Sequence, residues 1–378
     1  MASTENLPSV TSPSLIVTNP TDSERENVWK CTHPHWGGAL TMEDYIAREY
    51  DNLEAPLSRD GGVTSWILTD GNQKPDERLI LSSCETYKKR AFVSTKDGNA
   101  RDGTAHGVAS VFTFPECRGR GYARKMLSMI ADDLRRRQQK NEGVADFSVL
   151  WSDVGPKFYD SVGWKPFRST YLEFPVTETE PTANSYLKPI TFDDIPDLAA
   201  RDEQLLRDRI SSSPQVSAAV LPDAITIQWH IHRENFMCKH IFSRTPTVHG
   251  AVYTPPDAPN SRIWAVWTCS FYGMLDQPEK NIVRVMRLVV ENENISDETL
   301  AKGIQAIASL VQREATKWKC SKVEVWNPEE RVQRVTERIQ SLGAKFFVRE
   351  NGNLASLNWF GDSDQNVEWI ANERFAWC

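Results

Sequence analysis

The sequence has no paired cysteines, no long apolar run and no excess of positive charge. Its seven cysteines are an odd number without a Cys-x-x-Cys pair. This pattern gives neither a disulfide framework nor a zinc site and is typical of reduced cytosolic thiols. No apolar stretch approaches the roughly 20 residues that span a bilayer, and the amino-terminal segment lacks the basic start and apolar core of a signal peptide. We therefore expect a cytoplasmic protein with no membrane partner and no bound metal.

The net charge and the length further limit the class of protein and its partners. A formal charge of -7 at pH 7 disfavours a nucleic-acid partner and is compatible with a cationic small substrate. No basic or peptide-recognition module is visible, so the sequence indicates no obligate protein partner. The 378 residues exceed what one hydrophobic core usually serves, which predicts two domains.

The first half alternates strands and helices after a tail rich in Ser, Thr and Pro. Residues 1–14 are predicted to be a mobile tail, and Thr41 is assigned as the N-cap of a helix over 41–52. The other predicted elements are strands at 65–68, 78–93, 107–114, 147–151 and 164–174, a polar loop or hairpin tip at 94–106, and helices at 121–138 and 154–162.

The second half repeats this order after a linker at 176–185, which is rich in Pro, Thr and Glu. Its predicted elements are strands at 262–272, 281–290, 322–326, 345–349 and 354–360, and helices at 296–318 and 328–342. The repeated order predicts two similar domains, over 15–175 and 186–378. Each is a mixed, mostly antiparallel sheet flanked by helices, which places the chain in the α/β (α+β) class.

The segment 107–126 carries the strongest chemical signal. A buried strand runs through a proline into the turn Arg118, Gly119, Arg120 and Gly121, and an amphipathic helix follows. Glycines let the backbone approach a ligand closely and adopt positive φ angles. Free N–H groups at the start of a helix, with the positive end of its dipole, bind phosphate. The segment therefore predicts an anion-binding turn, with an ordinary surface turn as the alternative.

The spacing Arg-x-x-Gly-x-Ala of Arg118, Gly121 and Ala123 resembles the diphosphate-binding motif of the GNAT acetyltransferase superfamily. The resemblance implies two GNAT-like domains in tandem and acetyl-CoA as co-substrate. It also implies that backbone amides of the turn hold the diphosphate while the preceding strand pairs with the pantetheine arm. The cofactor-binding residues it implies are Val111, Thr113, Arg118, Gly119, Arg120, Gly121, Tyr122 and Ala123.

The segment FYDSVGW, which begins at Phe158, resembles the F-Y-x-x-x-G-F/W segment of the same superfamily. The resemblance implies that Tyr159 protonates the departing thiolate of CoA; the alternative is a tyrosine that is simply packed in a helix. Acetyl transfer also needs an uncharged amine, and a lysine-like amine is protonated at pH 7. A general base is therefore expected. The resemblance points to Glu85, on the strand before the motif strand, and the alternative is an exposed strand carboxylate.

Several segments, among them CTHPHWGGALTMEDY from Cys31 and the closing ERFAWC, resemble the fungal lysine N6-acetyltransferase family over essentially the whole chain. This resemblance implies that free L-lysine is acetylated on its side-chain nitrogen in lysine catabolism. His33 and His35 are interpreted as structural residues, with substrate contact as the alternative. Two other functions stay open: a GNAT acetyltransferase for another amine (a polyamine, a hydroxyornithine or a protein lysine), or a non-catalytic CoA-binding sensor.

The second half lacks the anion-binding turn. The corresponding strand-to-helix junction carries Glu291 and Glu293, whose charges repel a diphosphate. We therefore expect a degenerate second domain that completes the substrate pocket or covers the edge of the first sheet, and one CoA site per chain.

Overall fold

The computed structural model describes residues 7–95, 99–139, 145–176, 184–361 and 366–378. Eight α-helices lie within these ranges: α1 Asp22–Trp36, α2 Met42–Glu54, α3 Tyr122–Gln139, α4 Pro156–Asp160, α5 Ile195–Ser211, α6 Ala224–Phe242, α7 Asp297–Lys317 and α8 Glu330–Glu337. The strands of the described ranges are β1 Leu15–Thr18, β2 Val63–Asp70, β3 Ser82–Ser94, β4 Ala100–Thr113, β5 Ala145–Ser152, β6 Lys165–Pro166, β7 Thr170–Pro175, β8 Leu187–Ile190, β9 Ser217–Val220, β10 Gly250–Tyr253, β11 Ile263–Ser270, β12 Ile282–Val290, β13 Lys322–Trp326, β14 Lys345–Val348, β15 Leu354–Trp359 and β16 Glu368–Trp369.

The strands form two mixed sheets. The first has the order β1-β2-β3-β4-β5-β15-β6, with β9 paired to β3 and to β16. The second has the order β14-β7-β13-β12-β11-β10-β8. In each sheet one central pair is parallel, β4 with β5 and β12 with β13, while the neighbouring pairs are antiparallel. The predicted class, two mixed and mostly antiparallel sheets flanked by helices, is confirmed.

The two sheets exchange strands, which the sequence analysis did not anticipate. The predicted strand 164–174 is in fact two strands, and β7 lies in the second sheet between β13 and β14. Conversely, β15 belongs to the second half of the chain but pairs with β5 and β6 in the first sheet. Assigning each strand to its own half was therefore wrong at these two places. The division of the chain at residues 176–185 stays a prediction, and 177–183 lie outside the described residues.

Three local predictions also need correction. The predicted loop 94–106 is strand from Ala100 onward, and residues 96–98 lie outside the described ranges. The sequence analysis predicted none of the helices α1, α5 and α6. Residues 1–6 of the predicted tail are outside the description, whereas Leu7 and Val10 pack against the core of the first sheet, and the Tyr122 hydroxyl donates to the Pro8 carbonyl.

The helices begin where the sequence supplies caps. Thr41 accepts a hydrogen bond from the amide of Asp44, which confirms it as the N-cap of α2. Thr21 and Glu24 form a capping box at the start of α1. One apolar cluster contains residues of both sheets, including Val149 and Trp264, so the two sheets are packed together. Among the described helices, none combines the length and the apolarity needed to cross a bilayer.

Candidate active site

The anion-binding turn lies between β4 and α3, as predicted. Gly119 and Gly121 have φ angles of 76° and 85°, a region that other residues enter only with strain. The first backbone bond of the helix runs from the amide of Lys125 to the carbonyl of Gly121 at 3.0 Å. The amides that precede Lys125 therefore lie outside the helical ladder, at the positive end of the dipole. The turn is exposed, so a diphosphate can reach these amides.

The side chains in and beside the turn differ in their exposure and their contacts. Arg118 donates from Nε to the carbonyl of Thr113 at 3.1 Å, which ties the turn to the end of β4. Arg120 and Arg124 are exposed around the glycines and add positive charge. Tyr122, in contrast, is buried and points into the core, so only its backbone faces the turn. Ala123 is half-buried in the first turn of α3.

A cleft opens beside β4. The parallel pairing of β4 with β5 ends at Gly107 and Val149, although both strands continue beyond these residues. Past this point β4 stays paired only with β3, through a register shift next to Ser110, whose φ is 53°. Val111 and Thr113 lie on this segment, where the edge of β4 towards β5 is open to an extended ligand such as a pantetheine arm.

A cavity of about 690 Å³ continues from the cleft into the interior. Its wall contains parts of β3, β4, α1 and α2 from the first half and of α6, β11 and residues 374–378 from the second. Glu85, Tyr159 and Arg118 all line it. The structure thus brings both predicted catalytic side chains to the same cavity, next to the open edge of β4.

Glu85 has the properties of a general base. Its carboxylate is reached from the cavity but shielded from bulk water, and burial, followed by the charge of Glu49, raises its pKa to about 7. A hydrogen bond from Ser110 at 2.9 Å opposes this rise, as do the charges of Arg233 and Arg25. A carboxylate with a pKa close to neutral accepts protons efficiently at physiological pH.

Tyr159 has the properties of a proton donor. It lies on α4 after Gly155, packs against Phe158 and Trp164, and is 8% exposed. Burial, followed by the nearby Cys84 and Asp153, raises the pKa of its phenol, so the hydroxyl keeps its proton.

The HPHWGG segment forms the last turn of α1 and the turn after it. His33 bonds through Nε2 to the carbonyl of Leu40 at 2.9 Å, a structural role. His35 instead lines the cavity, with its ring 5.7 Å from that of Phe112.

The sequence analysis missed the residues that the second half adds to the cavity. Arg233 and Glu234 come from α6 and Arg374 from a short turn near the end of the chain. It also missed Glu49 on α2, which forms a buried ion pair with Arg48. The only relevant signal was the closing ERFAWC, which carried a resemblance but no physical role. In the part of the chain that the structure describes, no group of three or more His, Cys, Asp or Glu side chains is arranged to hold a metal ion.

The equivalent junction of the second sheet is built differently. The pairing of β12 with β13 also ends early, at Val285 and Val325, and a cavity of about 440 Å³ lies there. Glu291 is bound by Arg262 at 2.7 Å and by the Trp264 indole. The charged residues that line this cavity are six carboxylates and two arginines, and the carboxylates include Asp202, Glu293, Glu329 and Glu373. Such a lining is unsuited to a diphosphate.

Two family comparisons cover most of the chain. Residues 171–378 match the family described as the LYC1 GNAT-like C-terminal domain. Residues 98–167, which include the turn, the cleft and Tyr159, match the acetyltransferase (GNAT) domain.

Individual relatives are distant. The chain is 26% identical to a lysine acetyltransferase of Yarrowia lipolytica over 58% of its own length and 65% of that protein. It is 21% identical to the uncharacterized protein YGR111W of Saccharomyces cerevisiae over 90% of its own length and 92% of that protein. A solved structure of a probable N-acyltransferase from Enterococcus faecalis superposes with a TM-score of 0.53 at 11% identity. It covers 91% of this chain and 71% of the other, which supports the fold.

Proposed function

The chain belongs to the GNAT family whose C-terminal half is the LYC1 GNAT-like domain, and from this premise we propose that it acetylates the side-chain amine of free L-lysine with acetyl-CoA. The products are N6-acetyl-L-lysine and CoA. The observation that carries the proposal is the single cavity that joins the open edge of β4 to both Glu85 and Tyr159.

The residues at the turn fit acetyl-CoA. The left-handed glycines and the amides before Lys125 suit a diphosphate, and the unpaired edge of β4 suits the amide groups of pantetheine. When bound, acetyl-CoA supplies an acetyl thioester that an uncharged amine attacks. The predicted cofactor residues remain proposals in these roles.

Two side chains of this protein carry out the proton transfers. Glu85, with its pKa near 7, removes a proton from the acceptor ammonium. Tyr159, kept protonated by burial, donates its proton to the sulfur of the departing CoA. Both groups line the same cavity, Glu85 for the acceptor and Tyr159 for the sulfur of CoA.

The acceptor is proposed from two observations. Glu49, which is paired with Arg48, and Glu85 place two carboxylates in this part of the cavity, and carboxylates suit a cationic amine. The name of the Yarrowia relative, lysine acetyltransferase, favours lysine among such amines. A place in lysine catabolism and a cytoplasmic location follow from the same proposal. Another free amine is the second candidate.

An amine panel tests the proposal. The protein is incubated with acetyl-CoA and one of four amines: L-lysine, L-ornithine, cadaverine or spermidine. The release of free thiol measures the rate, and fragmentation in the mass spectrometer identifies the acetylated nitrogen of the product. We expect lysine to be preferred and acetylated at its side-chain nitrogen. Acetylation at the α-nitrogen, or a preference for cadaverine or spermidine, would remove lysine as the acceptor. No thiol release with any amine would remove the enzymatic function.

A further inference from the structure

One end of the cavity is strongly cationic. Arg233, Arg284 and Arg374 all line it. Arg284 has a carboxylate partner, Glu324. That carboxylate is also bound by Arg349 at 3.0 Å and lies 3.5 Å from Lys322. One glutamate therefore serves several cations, and within the described ranges neither of the other two arginines has an ion-pair partner of its own. The phenol of Tyr272 also lies among them, and the charges of Arg284, Arg374 and Arg233 lower its pKa against the effect of burial.

Arg374 is 6% exposed, and the small exposed part of it faces the cavity. Its guanidinium carbon lies 3.6 Å from the ring centre of Trp377 and 4.8 Å from that of Trp326. Among the described residues no carboxylate lies within 4 Å of the guanidinium, and no side-chain hydrogen bond from it is present. Burial, followed by the charge of Arg284, holds the pKa of Arg374 well below its usual range. A buried cation without a partner is costly.

Arg233 faces the same place from α6. Its guanidinium carbon lies 5.8 Å from the ring centre of Trp377 and 5.1 Å from that of Trp229. It too has no carboxylate within 4 Å in the described ranges. Two unpaired guanidinium groups thus flank one indole ring at the wall of the cavity. Planar guanidinium groups with free N–H donors are the side chains best suited to bind a carboxylate.

The cationic end lies within electrostatic reach of the catalytic carboxylate, since the charge of Arg233 lowers the pKa of Glu85. The cavity therefore has carboxylates at Glu85 and at Glu49, which is paired with Arg48, and guanidinium groups without a carboxylate partner at Arg233 and Arg374. An amino acid with a side-chain amine has the same polarity, because its aliphatic chain separates the carboxylate from the reacting nitrogen.

We propose that Arg233 and Arg374 bind the α-carboxylate of the acceptor and so select amino acids over the corresponding simple diamines. The assignment rests on the proposed function, because it concerns the acceptor of the same site. Binding at these guanidiniums supplies the missing negative charge and directs the side-chain amine towards Glu85.

The test combines a variant with matched substrates. Arg233→Met keeps an unbranched apolar stem against the two tryptophans but removes the charge. The control is Arg244→Met, since Arg244 also lies over an indole, 4.8 Å from the centre of Trp318, but not at this cavity. Steady-state kinetics compare L-lysine with cadaverine and L-ornithine with putrescine, pairs that differ only in the carboxylate. Calorimetric titration with L-lysine and cadaverine measures binding independently of turnover.

In the wild type we expect each amino acid to exceed its diamine by about 10²-fold in kcat/KM, because the diamine leaves the arginines unpaired. At a pH above the acid limb of both proteins, where Glu85 is ionised, Arg233→Met is expected to raise KM for lysine about 10- to 100-fold and leave cadaverine within about threefold, since one charged hydrogen-bonding group is lost for lysine alone. Arg244→Met should match the wild type for both.

Two results would overturn the assignment. The first is an equal loss of kcat/KM for lysine and for cadaverine in Arg233→Met. The second is an unchanged ratio of kcat/KM for lysine to kcat/KM for cadaverine, together with a shifted pH dependence of kcat/KM. This result would show that Arg233 acts on Glu85 and not on the substrate. Failure of the proposed function would be seen separately, as the absence of acetyl transfer by the wild type. In that case calorimetry still reports whether L-lysine, which has the carboxylate, binds more tightly than cadaverine.

Discussion

The hydroxyl of Ser110 donates to Oε2 of Glu85 over 2.9 Å, across the irregular register between β3 and β4. Ser110 occupies the left-handed region at this point, with φ of 53°. The irregularity of β4 therefore does two things at once: it places the open edge of the strand beside the cleft, and it provides a donor to the carboxylate that we propose as the base.

Removing this donor should move the pH dependence of the reaction. The bond stabilises the charged form of Glu85, so Ser110→Ala raises the pKa of Glu85 above about 7. A loss of about 1 kcal/mol corresponds to an upward shift of about 0.5 to 1 pH unit in the acid limb of kcat/KM. The control is Ser83→Ala, because the Ser83 hydroxyl lies in the same cavity wall and has no hydrogen-bond partner among the described residues. An unshifted acid limb in Ser110→Ala would argue against Glu85 as the titrating group.

Removing the neighbouring charge should act in the opposite direction. The carboxylate of Glu49 raises the pKa of Glu85, so Glu49→Gln should lower it and extend activity to more acidic pH. The measurement is again the acid limb of kcat/KM. A shift of the same sign in Glu49→Gln and Ser110→Ala would be incompatible with the electrostatics described above.

Replacing Glu85, the proposed base, should reduce turnover. Glu85→Gln is expected to reduce kcat by about 10² to 10⁴-fold at pH 7. Activity should recover partly as pH rises towards the pKa of the amine, because the acceptor then loses its proton without help. Rate measurements from pH 6 to 10 check this, with acetyl-CoA affinity as the control for folding. A pH profile identical to that of the wild type would point to another base.

The same substitution should change stability in a pH-dependent way. The pKa of Glu85 is raised from 4.5 to about 7 in the folded chain, so the folded state retains this proton in a pH range where the unfolded state has lost it. The contribution of Glu85 to stability therefore falls as pH rises from about 4.5 to 7. Glu85→Gln should be more stable than the wild type above pH 7, by at most about 3 kcal/mol, with the difference vanishing near pH 4.5. Thermal unfolding at pH 5 and pH 8 measures it; a difference that does not grow with pH contradicts the raised pKa.

The proton donor can be tested apart from the cofactor site. Tyr159→Phe should lower kcat by about 10²-fold or more with little change in acetyl-CoA affinity, because only the departing sulfur loses its donor. Tyr122→Phe is the matched control, since its hydroxyl is bound to the Pro8 carbonyl in the core. Wild-type turnover in Tyr159→Phe would leave this residue a packing role alone.

The turn can be tested with two glycines of similar geometry. Gly121 has φ of 85° and Gly61 has φ of 79°, and the space around both is almost open. A valine at either position carries the same backbone strain, about 1 to 3 kcal/mol. Only Gly121→Val places a side chain at the proposed diphosphate site, so only this variant should lose acetyl-CoA binding in calorimetry. We expect one acetyl-CoA per wild-type chain. Two equivalents, or equal affinity in both variants, would contradict the assignment of the turn.

The sequence alone determined the parts of the site that are built locally. The turn from Arg118 to Ala123 follows from a strand, a pair of glycines and the apolar spacing of α3, all within a short segment. The same holds for Tyr159 on its short helix. Positive φ angles, capping and helical periodicity depend on neighbours in sequence, so these features can be predicted from it.

Only the tertiary structure decided which residues meet at the proposed acceptor end of the cavity, and that β7 and β15 each join the sheet of the other half. Alternation of apolar residues predicts a strand but not the sheet that it joins, because pairing energy comes from partners distant in sequence. Arg233, on a helix that the patterns did not reveal, and Arg374, near the end of the chain, carry no local signal of a shared site. Their proximity arises because the chain returns from the second sheet to the first, and it is this return that places two unpaired guanidinium groups in the cavity wall that contains Glu85.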